Sequence, residues 1–386
     1  MKEQPMRIVV AGGGTAGHIS PVLAVVDALV QHDSQVDILY VGQRHGIEGR
    51  MARQAGLRFA GISAGKYRRN PGRSLAQNLA DLPATALNVR DVGLTTAGVA
   101  QSLRILRRFR PDVVFAKGGF VALPVAVAAK ILRIPVVAHE SDVSPGIGSK
   151  MVSKWAKVMA VGFPVELYGD QLGDRLLFTG NPVRQEILSG DSQKGLELAF
   201  GKAKAKADPV LLVVGGSQGA LLINRAILEG LSELTQRYRV IHVTGQHHQA
   251  EAESRARELK IPTGRYHAFG FVDAPTLANL YAASDLVISR AGANTIAELA
   301  ALRKPVLLIP NSQMAAHQVV NAKRLDRAGA VELLSEEGLS GDKLLKTVAA
   351  LFDKPKHLQD LADKLATFNT PDAAERIARA LSEVAG

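Results

Sequence analysis

The segment whose residue types say most about chemistry is Ser289-Arg290-Ala291-Gly292-Ala293-Asn294-Thr295-Ile296-Ala297-Glu298. Small residues open a helix whose N-terminal amides can face phosphate, and Glu298, one turn in, can accept the protons of two ribose hydroxyls. That combination is a grip for a nucleoside diphosphate. The structural alternative is a capping box that Glu298 completes with Asn294 or Thr295. Three more glycine-rich turns follow apolar runs of strand length: Gly12 to His18, Ala116-Lys117-Gly118-Gly119-Phe120, and Gly215 to Ala220 with Ser217 and Gln218 inside it. Glycine there lets phosphate approach backbone N–H groups at the positive end of a helix dipole, although a tight strand-to-helix turn needs glycine for steric reasons as well. Two such turns in each half point to a diphosphate-containing ligand.

His18 follows the first turn at the expected start of a helix, where an imidazole titrating near neutrality can take a proton or donate to phosphate. His139-Glu140 ends another strand-length run and puts two more titratable groups on the same rim, so the two clusters together outline an acid–base site. The remaining histidines, His247-His248 among them, show no metal-ligand spacing tied to a carboxylate and read as surface residues. Neither an Asp-x-Asp motif nor a Walker-type phosphate loop occurs. No metal or cofactor is therefore expected, and phosphoryl transfer is disfavoured. Helix termini, with Arg184 or Arg290, are left to neutralise the charge of a departing diphosphate.

Regular elements must position these groups. The 386 residues exceed what one core usually encloses, and 47% of them are apolar, enough for two domains with a cleft between them. Aliphatic and β-branched runs recur at Arg7–Ala11, Val36–Val41, Val113–Ala116, Pro135–Ala138 and Lys157–Val161, then at Val210–Val214, Arg239–Val243, Leu286–Ser289 and Pro305–Ile309. Helix-length amphipathic segments lie between them. This alternation predicts parallel sheets with helical crossovers, and its restart midway predicts two nucleotide-binding folds with ligand loops at the carboxyl ends of both sheets. Asn181-Pro182 and Lys194–Asp208 read as the exposed connector between the halves. Val121 to Ala138, the most apolar stretch, is broken by Pro124 and Pro135 and carries Lys130 and Arg133, so a helix and then a strand are expected rather than a membrane span. Nothing from Met1 to Gly17 is long and apolar enough for a signal peptide, so export is not expected. Ala373, Ile377, Ala380 and Leu381 recur at helical spacing in the tail and predict a closing helix.

Lys and Arg outnumber Asp and Glu 47 to 36, giving a net charge of +11 and an isoelectric point near 9.8. Such a surface attracts polyanions or anionic lipid, with simple solvation as the plainer alternative. Nucleic acid is not the expected partner, because no helix-turn-helix or zinc spacing occurs and only 5% of residues are aromatic. The absence of cysteine excludes disulfides, thiol catalysis and thiolate-bound metals. Part of the positive charge is concentrated: Lys66, Arg68, Arg69 and Arg73 precede Leu75, Leu79 and Leu82 on one helical face, and Arg104, Arg107, Arg108 and Arg110 end the segment. A basic rim beside an apolar ridge suits an interfacial helix; the structural alternative is a helical hairpin whose leucines face the core. At about 1 kcal/mol per basic residue near an anionic leaflet, the first four charges supply about 4 kcal/mol, a millimolar affinity that needs the leucines as well.

Taken in order, Gly12–His18, Lys117–Phe120, His139–Gly146, Gly180–Arg184, Gly215–Ala220, Phe271-Val272, Ser289–Glu298 and His317–Ala322 resemble the MurG family over nearly the whole chain. These bacterial enzymes transfer GlcNAc from UDP-GlcNAc to undecaprenyl-pyrophosphoryl-MurNAc-pentapeptide (lipid I), giving lipid II for peptidoglycan synthesis. The resemblance implies an α/β protein of GT-B fold, with two Rossmann-like domains whose parallel sheets face a central cleft. Residues 1–183 would form the acceptor and membrane-associating domain, 184–366 the UDP-sugar domain, and 367–386 a helix packing back on the first. It implies transfer to the MurNAc 4-hydroxyl, for which an inverting reaction is expected; His18, from its place beside the first glycine turn, is the expected base and Glu140 the next candidate. By position, Thr15, Ala16 and Gly17 resemble the sugar-contacting loop, Asp142 an Asn that contacts the donor sugar, and Arg184 and Ser217 diphosphate-side contacts. Val272 resembles the uracil position, Ala293, Asn294 and Thr295 the diphosphate helix start, Glu298 the ribose ligand and Gln318 a GlcNAc contact. The family's usual Thr-Gly-Gly-His is Thr15-Ala16-Gly17-His18 here, and its His-Glu-Gln-Asn is His139-Glu140-Ser141-Asp142, so both departures bear on donor-sugar selectivity. The implied location is peripheral, on the anionic cytoplasmic face of the bacterial plasma membrane. The rival readings are a GT-B transferase for another lipid, a UDP-GlcNAc 2-epimerase, a sugar-nucleotide sensor and a basic nucleic-acid-binding protein.

Overall fold

The computed structural model describes residues 5–14, 16–66, 82–201, 208–215, 220–311 and 316–386, with backbone alone at 16–18, 82–84 and 316. Thr15, Arg68, Arg69, Arg73, Leu75, Leu79, Ser217 and Gln218 lie outside the described residues. The chain forms two compact units, Met1–Val183 with Thr370–Gly386, and Arg184–Asn369.

In the first unit β1 (Arg7–Ala11), β2 (Asp37–Gln43), β3 (Arg58–Ile62), β4 (Val113–Lys117), β5 (Val136–Glu140), β6 (Val158–Val161) and β7 (Leu176–Phe178) form one sheet in the order β3-β2-β1-β4-β5-β6-β7. Every pairing in it is parallel. Helices cover both faces, so β4 and β5 are buried along their whole length and read as continuous apolar runs until their last residues, Lys117, His139 and Glu140. The helix Ala373–Ala385 completes this unit: Ile377, Ala378 and Leu381 share a core with Val22, Val25, Val26 and Leu29 of the helix Ala16–His32. The chain returns to the first unit at Thr370, a little after the break expected at 366.

The second unit has β8 (Val210–Val214), β9 (Arg239–Val243), β10 (Tyr266–Phe269), β11 (Leu286–Ser289), β12 (Val306–Leu308) and β13 (Glu332–Leu333), again all parallel, in the order β10-β9-β8-β11-β12-β13. Both sheets reverse their strand order at one seam, between β1 and β4 and between β8 and β11. This is the place where open parallel sheets accept ligands. The four glycine-rich segments follow these four strands in the sequence, so in each unit two of them begin at its own switch point.

One expectation is corrected. Lys194–Asp208 is not a plain connector, because residues up to Phe200 belong to the helix Ser192–Phe200. Asp191 caps that helix by accepting Lys194 N–H at 3.0 Å, and Leu196 and Ala199 are buried in it. The stretch from Val121 to Ala138 divides as expected, into the helix Gly119–Ile131 and the start of β5. No described helix is long and apolar enough to cross a membrane.

Candidate active site

In the first unit the turn after β1 is held from below. Tyr40, on β2, donates its hydroxyl proton to Gly12 O at 2.9 Å, and Glu48 accepts Gly14 N–H at 2.5 Å. Gly14 has φ of +88°, and a methyl there would fall 2.5 Å from Cε1 of Phe120, so the aromatic ring of the second turn packs on the first. Ala16, Gly17 and His18 form the first turn of the helix Ala16–His32. Sequence reasoning found the glycines but neither Tyr40 nor Glu48.

At the carboxyl ends of β4 and β5, Lys117 and His139 are paired in register. The Lys117 ammonium is buried and donates to Ser141 Oγ at 2.6 Å; burial lowers its pKa, opposed by Glu140 and Asp142. His139 is 0% exposed and Glu140 7%, so the expectation that they stand on the rim is corrected. His139 Nε2 lies 3.0 Å from Gly180 O. A carbonyl only accepts, so Nε2 carries the proton and the ring is tied to the backbone. Burial and the neighbouring Lys117 hold its pKa well below the ordinary value. Glu140 accepts Asp142 N–H at 3.0 Å through Oε1 and Gly146 N–H at 3.2 Å through Oε2. Burial, with Asp142 beside it, pushes its pKa up. The carboxyl thus shapes the loop 141–146, which presents the half-buried Asp142.

In the second unit the helix Ala293–Ala301 is capped by Gly292 with no side-chain hydrogen bond. Neither Asn294 nor Thr295 is the cap, so the capping-box alternative falls away. Glu298 instead accepts a hydrogen bond from the buried Tyr281 hydroxyl at 3.3 Å, and burial raises its pKa to about 7 against the pull of Arg184. A carboxyl in this condition has acceptor capacity in reserve. Asn321, on the helix Ala316–Arg327, donates to Ala291 O at 3.3 Å and fastens the helix that carries Gln318 to the same turn. Gln318 itself accepts Asn311 N–H at 3.2 Å. Val272 is half-buried beyond the end of β10, next to Phe271, which is 61% exposed.

Of the two arginines left to meet a diphosphate, the structure commits one elsewhere. Arg290 donates to Ile309 O at 3.0 Å and pairs with Glu336 at 2.6 Å, both side chains being largely buried. Arg184 approaches Glu186 at 3.8 Å, acts on the Glu298 carboxyl as well, and remains partly exposed. Arg290→Ala is accordingly expected to lower the unfolding free energy by about 3 kcal/mol, the cost of stranding one partner of a buried ion pair. Its UDP affinity should stay within about twofold of wild type, since no phosphate contact is removed. Urea denaturation and calorimetry together check this, and a large loss of UDP affinity at unchanged stability would return Arg290 to the phosphate.

The reading of the remaining histidines as surface residues fails at His242, which is 0% exposed. Its ring bridges Tyr266 OH and Asn224 Oδ1, each at 3.0 Å, and burial lowers its pKa to about 3. It is a core histidine. Among the described residues no group of three or more His, Asp or Glu side chains is placed to hold a metal ion.

Residues 8–161 match the model of the glycosyltransferase family 28 N-terminal domain, and residues 210–377 that of the family 28 C-terminal domain. A Clostridium botulinum (strain Langeland) protein named UDP-N-acetylglucosamine–N-acetylmuramyl-(pentapeptide) pyrophosphoryl-undecaprenol N-acetylglucosamine transferase is 38% identical over 349 residues, 90% of this chain and 91% of its own. A Lachnoclostridium phytofermentans protein of the same name is 36% identical over 380 residues, 98% of this chain and 99% of its own. Among solved structures, Acinetobacter baumannii MurG superposes with a TM-score of 0.73 at 22% identity, covering 98% of this chain and 100% of that one. UDP-GlcNAc 2-epimerase from Neisseria meningitidis, bound to UDP-GlcNAc, gives 0.68 at 16% identity, with 98% and 100% covered. At that identity the structural likeness is one of fold, two Rossmann-like domains of the GT-B type. The sequence likeness goes further, extending at better than one residue in three along almost the entire length of both chains, and it places this protein in the MurG family of N-acetylglucosaminyltransferases, within glycosyltransferase family 28.

Proposed function

We propose that the chain transfers GlcNAc from UDP-GlcNAc to the MurNAc 4-hydroxyl of lipid I, giving lipid II, by inverting displacement without a metal. The observation that carries the donor half is Glu298, a half-buried carboxyl with spare acceptor capacity on a helix whose start has no side-chain cap. The ribose sits on Glu298, the diphosphate on Ala293, Asn294 and Thr295 with Arg184, Ser217 and Gln218 completing the contact, uracil on Val272, and the sugar on Gln318, Thr15, Ala16, Gly17 and Asp142. His18 takes the proton of the 4-hydroxyl as that oxygen attacks the anomeric carbon. The bond from that carbon to the diphosphate breaks, and its electron pair leaves with UDP, stabilised by Arg184 and the helix N-terminus. Glu140 is better suited to hold the Asp142 loop than to act as base, because both its oxygens accept backbone N–H groups.

The acceptor half faces the anionic cytoplasmic leaflet through Lys66, Arg68, Arg69, Arg73, Leu75, Leu79 and Leu82. Support comes from the described residues beside this segment. An apolar groove of about 510 Å³ starts at Lys66 and is walled by Val92, Phe120, Leu123, Ile147 and Met151. Val92 and Ile147 are at least half exposed, and Val89, on the same helix as Val92, is 70% exposed. Release of UDP from UDP-GlcNAc that depends on a short-chain lipid I analogue is the decisive assay, with UDP-GalNAc as the competing donor. UDP-ManNAc formed in the absence of lipid would replace this reading with the epimerase one.

A further inference from the structure

Beneath the first glycine turn lies a carboxyl group that the chemistry above does not use. Glu48 opens the helix Glu48–Gln54 and is 0% exposed. Its Oε1 accepts Gly14 N–H at 2.5 Å, whereas Oε2, equally buried, has no partner. Three glycines make room for it. A methyl at Gly13 would fall 2.0 Å from Oε1, one at Gly46 1.7 Å from Oε2, and one at Gly42 2.9 Å from the Glu48 Cβ. A buried acid with one oxygen unpaired costs stability, and an apolar side chain of similar volume would stabilise the fold at least as well. The arrangement is therefore one of placement rather than of stability.

We propose that Glu48 is a positioning residue for the transfer: by fixing Gly14 from beneath, it sets the entry of the chain into the helix Ala16–His32 and so the backbone of residues 16–18. The inference rests on the transfer reading above. It has a corollary for the turn itself. The Gly14 amide is already committed to a carboxyl oxygen and is not offered to a phosphate, so glycine at position 13 serves the acid below rather than a ligand above.

Three variants test it, Glu48→Ala, Glu48→Gln and Gly46→Ala, each measured for steady-state turnover, UDP affinity and amide hydrogen exchange of the peptide spanning residues 8–20. Glu48→Ala and Gly46→Ala are expected to lower kcat about 100-fold, the usual consequence of displacing a reacting group by an ångström, with UDP affinity within twofold. Exchange at the Gly14 amide should accelerate at least tenfold in both. Glu48→Gln retains an acceptor for Gly14 and should recover exchange protection and turnover to within about fivefold of wild type. The isosteric Gln variant keeps the comparison open should Ala at either position fail to fold. Wild-type exchange in the Ala variants, turnover within threefold of wild type, or a Gln variant that regains protection without regaining turnover would each overturn the proposal. A wild-type protein that makes no lipid II overturns the transfer reading instead, and the exchange measurement still decides whether Glu48 holds the turn.

Discussion

Replacing His18 with glutamine is expected to lower kcat about a thousandfold while leaving the UDP dissociation constant within twofold. The size follows from what a positioned base contributes, roughly 10²–10⁴ in rate, and from the lack of a substitute nearby. His139 is buried and tied through Nε2 to Gly180 O, and its pKa is held far below neutrality, so it does not take over. Glu140 has both oxygens engaged by the backbone of the loop it shapes. The separation of kcat from donor affinity follows from location. His18 stands in the first unit, whereas the carboxyl, helix start and arginine proposed to grip UDP belong to the second. Steady-state kinetics beside calorimetry is the check, and the limb of the pH–rate profile that rises with deprotonation should vanish in the variant. Turnover close to wild type would take the role from His18.

Glu298→Ala should weaken UDP binding roughly a hundredfold, about 3 kcal/mol, the worth of two hydroxyl hydrogen bonds to a carboxylate less what water recovers. The pH dependence is the sharper test. Burial raises the Glu298 pKa from an ordinary 4.5 to about 7, so the empty site is half protonated at neutrality. Only the ionised carboxyl accepts from both ribose hydroxyls, and UDP affinity should therefore fall about tenfold per pH unit below 7 and level off above it. In Glu298→Ala that component disappears, leaving only the titration of UDP itself. A wild-type slope equal to the variant's would remove the ribose role. Stability of the ligand-free protein should run the other way. A folded-state pKa above the unfolded value gives a contribution that is complete below pH 4.5 and is lost as pH rises through about 7, up to about 3 kcal/mol in all. UDP and alkali are thus opposed in their effects on the second unit.

The nine strands legible in the sequence are those inside the two sheets, and the four that were not, β3, β7, β10 and β13, are the four edges. The reason is burial. An interior strand of a parallel sheet is covered on both faces and needs an unbroken apolar run, as in Val210–Val214, where every residue is buried. Arg58-Phe59-Ala60-Gly61-Ile62 buries only its last residue fully, and Glu332-Leu333 neither of its two, so nothing in their composition separates them from loop. The site divides in the same way. Glycine turns and the Glu298 segment are local patterns and were readable. Tyr40 and Glu48 act across the fold on a turn 28 to 34 residues away, and no local pattern marks them, although glycine at 42 and again at 46 is the trace the buried acid leaves in the sequence. Residue type identified His139-Glu140 as titratable, but whether such a pair faces ligand or holds a loop depends on which backbone amides come back to meet it. The choice between Arg184 and Arg290 stays open in the sequence for a related reason, since Glu336, the partner of Arg290, lies beyond β13, one of the edges the composition hides.

The closing helix has a consequence for biogenesis. Because Ile377, Ala378 and Leu381 belong to the core of the unit that begins with β1, that unit cannot finish assembling while the ribosome is still making Arg184–Asn369. At about 5–20 residues per second, the early half waits on the order of 10–40 s with part of its hydrophobic interior uncovered. Translation therefore completes the second domain before the first, and a premature stop that removes only the last few turns of the chain injures the end made earliest.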